Sequence, residues 1–270
     1  MVKNKKSIRI FNSYNKMLPN SKRSQATIFI ILALAIVVVL FLLLTGGGDL
    51  TAIFKPASPI QQIRICAQEA TQEVVDVLAL QGGSMNPENY YLYQGNKIEY
   101  LCYSEVNYER CVMQKPMLKQ SIESELETYL QPRIKNCVNA VKSNLQKKGY
   151  SVSSQDPIID VKLIPNNILI DIQANVQITK DSTESYKSIK TDYNSKLYDL
   201  IMITSSILNW EARYGDAEST TYMIYYPSIK VEKKKQGDGT TVYILTDKLN
   251  LDTFQFASRS VILPTGFTGE

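Results

Sequence analysis

Apolar and polar positions follow three different patterns along this chain. From Ala26 to Leu44 no residue is charged, and Thr27 supplies the only hydroxyl. As an α-helix the run reaches about 28 Å, close to the hydrocarbon thickness of a bilayer, so it predicts one membrane-spanning helix over residues 26–44. Thr27 is tolerated there because its hydroxyl can bond a carbonyl one turn back. Thr45-Gly46-Gly47-Gly48-Asp49 ends that helix, and Pro56 and Pro59 prevent its continuing, which makes residues 45–58 a flexible stalk.

Helical periods come next. Ser58 is a suitable N-cap, with Pro59 at the first helical position and Gln61 completing a capping box. Ile60, Ile63, Ala67, Ala70, Val74 and Val77 recur at steps of three and four, up to a stop at Gly82-Gly83. Leu118, Ile122, Leu126, Leu130, Ile134, Cys137, Val141 and Leu145 give a second helix ending at Lys147-Lys148-Gly149, with Pro132 expected to kink or divide it near Leu130. A third helix is expected from Asp181, with Glu184 closing its N-terminal box and Tyr186, Ile189, Tyr193, Leu197, Leu200, Thr204 and Ile207 as its buried stripe up to Gly215.

Strand patterns occupy the rest. Tyr90 to Tyr93 and Lys97 to Tyr103 flank Gln94-Gly95-Asn96 as a hairpin, whose tyrosines are expected to cover a half-buried pleated face. Ile159, Val161 and Leu163, then Pro165-Asn166-Asn167, then Ile168, Ile170, Ile172, Ala174, Val176 and Ile178 alternate strictly with polar residues, giving an antiparallel pair with one packed face. Thr221 to Tyr226, Ser228 to Val231, Thr241 to Thr246 and Phe254 to Leu263 read as later strands, with Gln236-Gly237-Asp238-Gly239 as a turn. Helices and strands are segregated. The pattern therefore predicts an α+β fold: about three helices packed on antiparallel sheet in residues 59–270, behind the anchor.

Charge changes the picture by its position. Lys3, Lys5, Lys6, Arg9, Lys16, Lys22 and Arg23 precede the apolar run with no acid among them. The other 23 bases face all 26 acids, so the body carries a net −3 although the chain as a whole is +4. The excess is a topology signal and not a nucleic-acid signal. It places tail 1–25 in the cytoplasm and the body outside the cell membrane, with the lipid bilayer as first partner.

Cys66, Cys102, Cys111 and Cys137 all follow the run, no two form a Cys-x-x-Cys pair, and the chain has no histidine. Zinc, haem and thioredoxin-like chemistry are therefore poor fits, no cofactor is expected, and disulfides are the natural fate of exported thiols. Of the three possible pairings, Cys102 with Cys111 would close a short loop after a strand, and Cys66 with Cys137 would tie two helices together.

Nothing else carries a catalytic pattern. The one Ser-x-x-Lys match, Ser13 to Lys16, lies in the basic tail, and no nucleophile elbow, phosphate loop or dinucleotide fingerprint occurs. Glu123, Glu125 and Glu127 step by two around a helix, which predicts a solvated surface. Asp247 and Asp252 could flank a sugar or cation but are expected as turn residues, and Lys233-Lys234-Lys235 as a solubilising tip.

Lys22-Arg23-Ser24-Gln25-Ala26-Thr27-Ile28-Phe29 resembles the class III signal of archaeal type IV pilin-like proteins. The resemblance implies cleavage between Ser24 and Gln25, with the apolar helix retained for assembly. Phe29 stands where that family usually has glutamate, and Gly46 to Gly48 interrupt what should be a long amphipathic helix. The body is similar to single-pass membrane proteins of small-genome archaea. The shared features are Cys66, Gln81-Gly82-Gly83, the Tyr-rich hairpin, Tyr129-Leu130-Gln131 before Cys137, and Phe254-Gln255-Phe256-Ala257-Ser258-Arg259. That likeness implies no particular activity. The expected function is a non-enzymatic, membrane-anchored envelope protein whose disulfide-braced domain binds an envelope protein or surface polymer, or serves surface structure. The alternatives are a pilin-like filament subunit and an extracytoplasmic hydrolase using carboxylates.

Overall fold

The computed structural model describes residues 29–38 and 57–261, and divides the chain into two compact units, Met1–Pro56 and Ala57–Glu270. In the first unit residues 29–38 form a helix, α1, with exposed side chains. The remainder of the expected span 26–44, the basic tail with Ser24 and Gln25, and stalk residues 45–56 lie outside the described residues, as do residues 262–270. Among the described residues no helix is long and apolar enough to cross a membrane.

The second unit is α+β. It runs α2 (Pro59–Leu80), β1 (Tyr90–Tyr93), β2 (Asn96–Tyr103), β3 (Val112–Met113), α3 (Leu118–Lys147), β4 (Ser151–Ser153), β5 (Ile158–Ile164), β6 (Asn167–Thr179), β7 (Thr183–Asn194), α4 (Leu197–Tyr214), α5 (Ser219–Tyr225), β8 (Ile229–Lys235), β9 (Thr240–Asp247) and β10 (Thr253–Arg259). Ser58 caps α2 by accepting the Gln61 N–H at 3.2 Å, with Pro59 opening the helix. α3 runs without a break through Pro132.

The described residues form two sheets. The larger has the order β1-β2-β10-β9-β8 with β3 also on β2, and its β2–β10 pair is parallel, a departure from the expected antiparallel arrangement. In the smaller, β6 pairs β4 and β5 on one side and β7 on the other, all antiparallel. Helices α2 and α4 each touch both sheets, and α3 packs on α2, β4, β5 and α4. One core joins Ile63, Leu78, Ile122 and Leu130 from the helices to Val161 and Ile170 from the small sheet and Phe254 and Phe256 from the large one. Each such side chain contributes about 1.5–3 kcal/mol through burial. Tyr91, Tyr93 and Tyr103 of the Tyr-rich segment pack with Ile98, Tyr100, Val242 and Ala257 in a second, small cluster.

Two expected elements change type. Residues 183–194, expected as the first half of a helix, form β7. The three- and four-residue steps of Tyr186, Ile189 and Tyr193 coexist with an alternation of buried Ile189 and Thr191 against exposed Lys190 and Asp192, and the long free side of β6 selects the second pattern. β-branched Thr183, Ile189 and Thr191 also favour the extended form, and the helix begins only at Leu197. Conversely, residues 221–226, expected as a strand, belong mostly to α5. Glu218 caps that helix by accepting the Thr220 N–H at 2.9 Å, and Pro227 stands just past its end.

Candidate functional site

The four cysteines form two bonds, Cys66–Cys137 between α2 and α3 and Cys102–Cys111 between β2 and the loop before β3. Among the described residues no group of three or more metal-capable side chains comes together.

The three glutamates of α3 are not a solvated surface. Glu123 accepts the Leu163 N–H at 2.8 Å and the Lys119 ammonium at 2.7 Å, and Glu127 accepts the Val161 N–H at 3.0 Å. Both therefore bind strand β5 on the side not paired with β6. Glu123 and Glu127 are four apart and share a helix face, a spacing that the steps of two concealed. Glu125 accepts the Met85 N–H at 2.8 Å. The three carboxylates thus close an open strand edge and a loop.

Asp247 and Asp252 have separate tasks. Asp252 Oδ2 accepts the Lys196 N–H at 2.5 Å and the Ser195 hydroxyl at 3.0 Å, which satisfies the start of α4. Asp247 is fully buried. Its Oδ1 accepts the N–H groups of Leu249 and Asn250 at 2.9 and 3.1 Å in the β9–β10 turn, while Oδ2 has no partner. Lys233 to Lys235 lie in the edge strand β8 and not at a tip: Lys233 pairs with Asp216, and Lys234 with Glu232 at 2.9 Å.

The concave feature with the most chemistry lies along the outer side of α4 and α5. α4 is fixed from within by Glu211, whose carboxylate accepts the Tyr243 hydroxyl and, at 3.1 Å, the Ser258 hydroxyl. Burial raises the Glu211 pKa against the lowering effect of those hydrogen bonds and of Lys233, and burial followed by the Glu211 charge drives the Tyr243 phenol far up. Neighbouring Trp210 is half exposed. Gly215 then ends α4 at φ +84°, where a Cβ would run into the Val261 side chain, and turns the chain toward α5.

Between the two helices is a cavity of about 550 Å³ walled by Trp210, Tyr222, Tyr225 and Tyr226, with Ser206, Glu218 and Thr221 as its polar groups. The Tyr222 and Ser206 hydroxyls meet at 2.9 Å and form a partition. Beyond it a second cavity of about 400 Å³ shares Ser206, Tyr222 and Tyr226 and continues past Tyr198 and Asp199 to Ser228 and Asp247. Hydrogen bonds from Thr220 hold the Glu218 carboxyl below its usual range, so it is ionised at neutral pH. No basic side chain lines the first cavity, and the second has Lys196, paired with Asp199 at 3.5 Å. A larger hollow of about 820 Å³ beside Cys111 is broad and has charged walls, Glu109, Arg110 and Arg213. The α4–α5 groove is the stronger candidate because its walls are ring faces converging from two helices.

None of its aromatic residues stood out in the sequence. Tyr222, Tyr225 and Tyr226 share one face only at helical spacing, and the β-rich composition around them pointed to a strand. Trp210, the only tryptophan of the chain, was the available clue. No family model, curated protein or solved structure matches the chain.

Proposed function

We propose that this chain is a non-enzymatic, membrane-anchored envelope protein, held by residues 26–44 as a single-pass anchor, whose extracytoplasmic domain binds a ligand in the α4–α5 groove. The observation that carries the extracytoplasmic placement is the pairing of all four cysteines into two disulfides, every one of them after the apolar run. The basic tail supports the same orientation. Binding, as opposed to catalysis, is supported by the structural tasks of the acids that line the groove: Glu218 caps α5, Asp199 pairs with Lys196, and Asp247 commits Oδ1 to the β9–β10 turn.

The test uses membranes from cells making the full chain. The protein should stay in the pellet after an alkaline carbonate wash, and its body should be digested by protease added to intact spheroplasts. Peptides Cys66–Cys137 and Cys102–Cys111 should be recovered without reduction. Release by carbonate, or four thiols alkylated in intact cells, would overturn the proposal. The pilin-like alternative is favoured by the Lys22 to Phe29 segment and predicts a mature N-terminus at Gln25; sequencing of the membrane-extracted chain separates the two.

A further inference from the structure

We propose that the α4–α5 groove binds a neutral oligosaccharide, with pyranose rings stacked on Trp210 and Tyr225. The inference rests on the groove being a binding site, as proposed above, and adds the chemical class of its ligand. Four properties of the groove lead there.

The first is ring surface. Trp210 is 50 % exposed, Tyr225 76 % and Tyr226 50 %, although each sits in a well-formed concavity. Aromatic side chains left this open leave unburied the largest apolar gain available to them. A pyranose ring offers an apolar C–H face that covers such a ring and a hydroxyl edge that stays polar, so it matches walls that are flat, apolar and rimmed by oxygen. The second is the polar inventory. Ser206, Glu218 and Thr221 in the first cavity and Asp199, Asp247 and Ser228 in the second are acceptors or hydroxyls, and Lys196, the donor-only group of the second, is paired with Asp199. A ligand rich in O–H donors satisfies them.

The third is charge. The first cavity holds an ionised Glu218 and no base, which disfavours phosphate, sulfate and nucleic-acid chains. The fourth is shape. Each cavity, about 550 and 400 Å³, lies within the roughly 300–1,000 Å³ span of small-ligand sites, and the two adjoin as neighbouring subsites with Ser206, Tyr222 and Tyr226 as common walls. A single compact ammonium ion would suit the rings and Glu218 but would leave most of this volume empty. A chain of several rings fills both.

Trp210 makes the test direct, because the intrinsic tryptophan fluorescence of this chain comes from the groove alone. The full chain, in a polyoxyethylene detergent that carries neither sugar nor ammonium, is titrated with maltohexaose, cellohexaose and chitohexaose, and separately with tetramethylammonium chloride. The expected result is a saturable change in Trp210 emission with at least one hexasaccharide at micromolar to low millimolar concentration. Calorimetry with that sugar should then show affinity lowered ten-fold or more in both Tyr225→Ala and Trp210→Ala, with both disulfides intact and melting unchanged. Binding that survives Tyr225→Ala and Trp210→Ala overturns the groove assignment. Saturation by tetramethylammonium with none by the sugars overturns the ligand class while leaving a binding groove. No response to any of the four probes overturns the glycan inference, and the membrane and disulfide tests above stand independently of that outcome.

Discussion

Helices α2 and α3 are bonded to each other through Cys66–Cys137, and α3 lends Glu123 and Glu127 to the backbone of β5 and Glu125 to that of Met85. Helices α4 and α5 carry no cysteine. Glu211 secures α4 to β9 and β10 from below, and the Ser206–Tyr222 hydroxyl contact joins it to α5 above. The difference lies in what each arrangement leaves outside. Where carboxylates and a covalent bond close the helix pair against strand and loop, the cavity that remains beside α2, about 490 Å³, is walled by aliphatic and polar side chains with Tyr193 as its one ring. Where a buried carboxylate does the anchoring, the outer side of the helix is free, and Trp210 and the α5 tyrosines use it to form a groove.

The covalent pair should be the harder to lose. Cys66 and Cys137 are 71 residues apart, so on loop-closure entropy the double replacement Cys66→Ala/Cys137→Ala should cost about 4 kcal/mol, against about 2.5 kcal/mol for Cys102→Ala/Cys111→Ala, whose separation is 9. Urea unfolding of the detergent-solubilised chain measures both. Equal losses would mean that the α2–α3 pair owes its stability to packing alone, and the contrast with α4–α5 would weaken.

Gly215 is the corresponding weak point of the second pair. Its φ of +84° and the Val261 side chain in the space a Cβ would occupy give Gly215→Ala a cost of about 2 kcal/mol. The loss should be accompanied by a shift in Trp210 emission, because the turn sets α5 against α4. A destabilised protein with an unchanged emission spectrum would show that the groove does not depend on this turn.

These two regions also differ in how far the sequence revealed them. The apolar steps of Ile60 to Val77 and Leu118 to Leu145 were legible because each helix buries one stripe against one core, and β5 and β6 because each strand buries every second residue. β7 was not, since most of its residues are exposed and the few apolar ones fit two periods at once. α5 buries only Tyr222, so neither period leaves a clear trace, and the cap at Glu218 with the stop at Pro227 decides the element. The groove inherits that opacity. Its rings come from one helix that was legible only in part and another that reads locally as a strand.

Acidity probes the anchoring beneath the groove. The Glu211 pKa is raised in the folded protein, chiefly by burial, so the native state holds a proton more tightly than the unfolded chain. Its contribution to stability is fully present below the unfolded value near 4.5 and is lost as pH rises through the folded value; Glu99, also raised by burial, acts in the same direction. Glu211→Gln keeps an acceptor for Tyr243 and Ser258 and cannot ionise. The variant should therefore show a flatter fall in melting temperature between pH 4.5 and 7 than the wild type. An identical fall in both would place the pH dependence elsewhere and leave Glu211 as a purely steric anchor.

The smallest expected effect is the most pointed for the comparison. Tyr225 is 76 % exposed and forms part of the groove wall, so Tyr225→Ser removes little buried surface and should change stability by no more than about 0.5 kcal/mol. A buried aromatic replaced by a small residue costs about 3–5 kcal/mol, and Phe254→Ala, in the core on β10, supplies that reference. If Tyr225→Ser approached the reference value, the ring would be holding α5 in place, and the groove would be a gap between helices that pack imperfectly. A near-zero cost means instead that the tyrosine contributes almost nothing to folding, and its position on an open aromatic wall is then accounted for by what the wall contacts outside the chain.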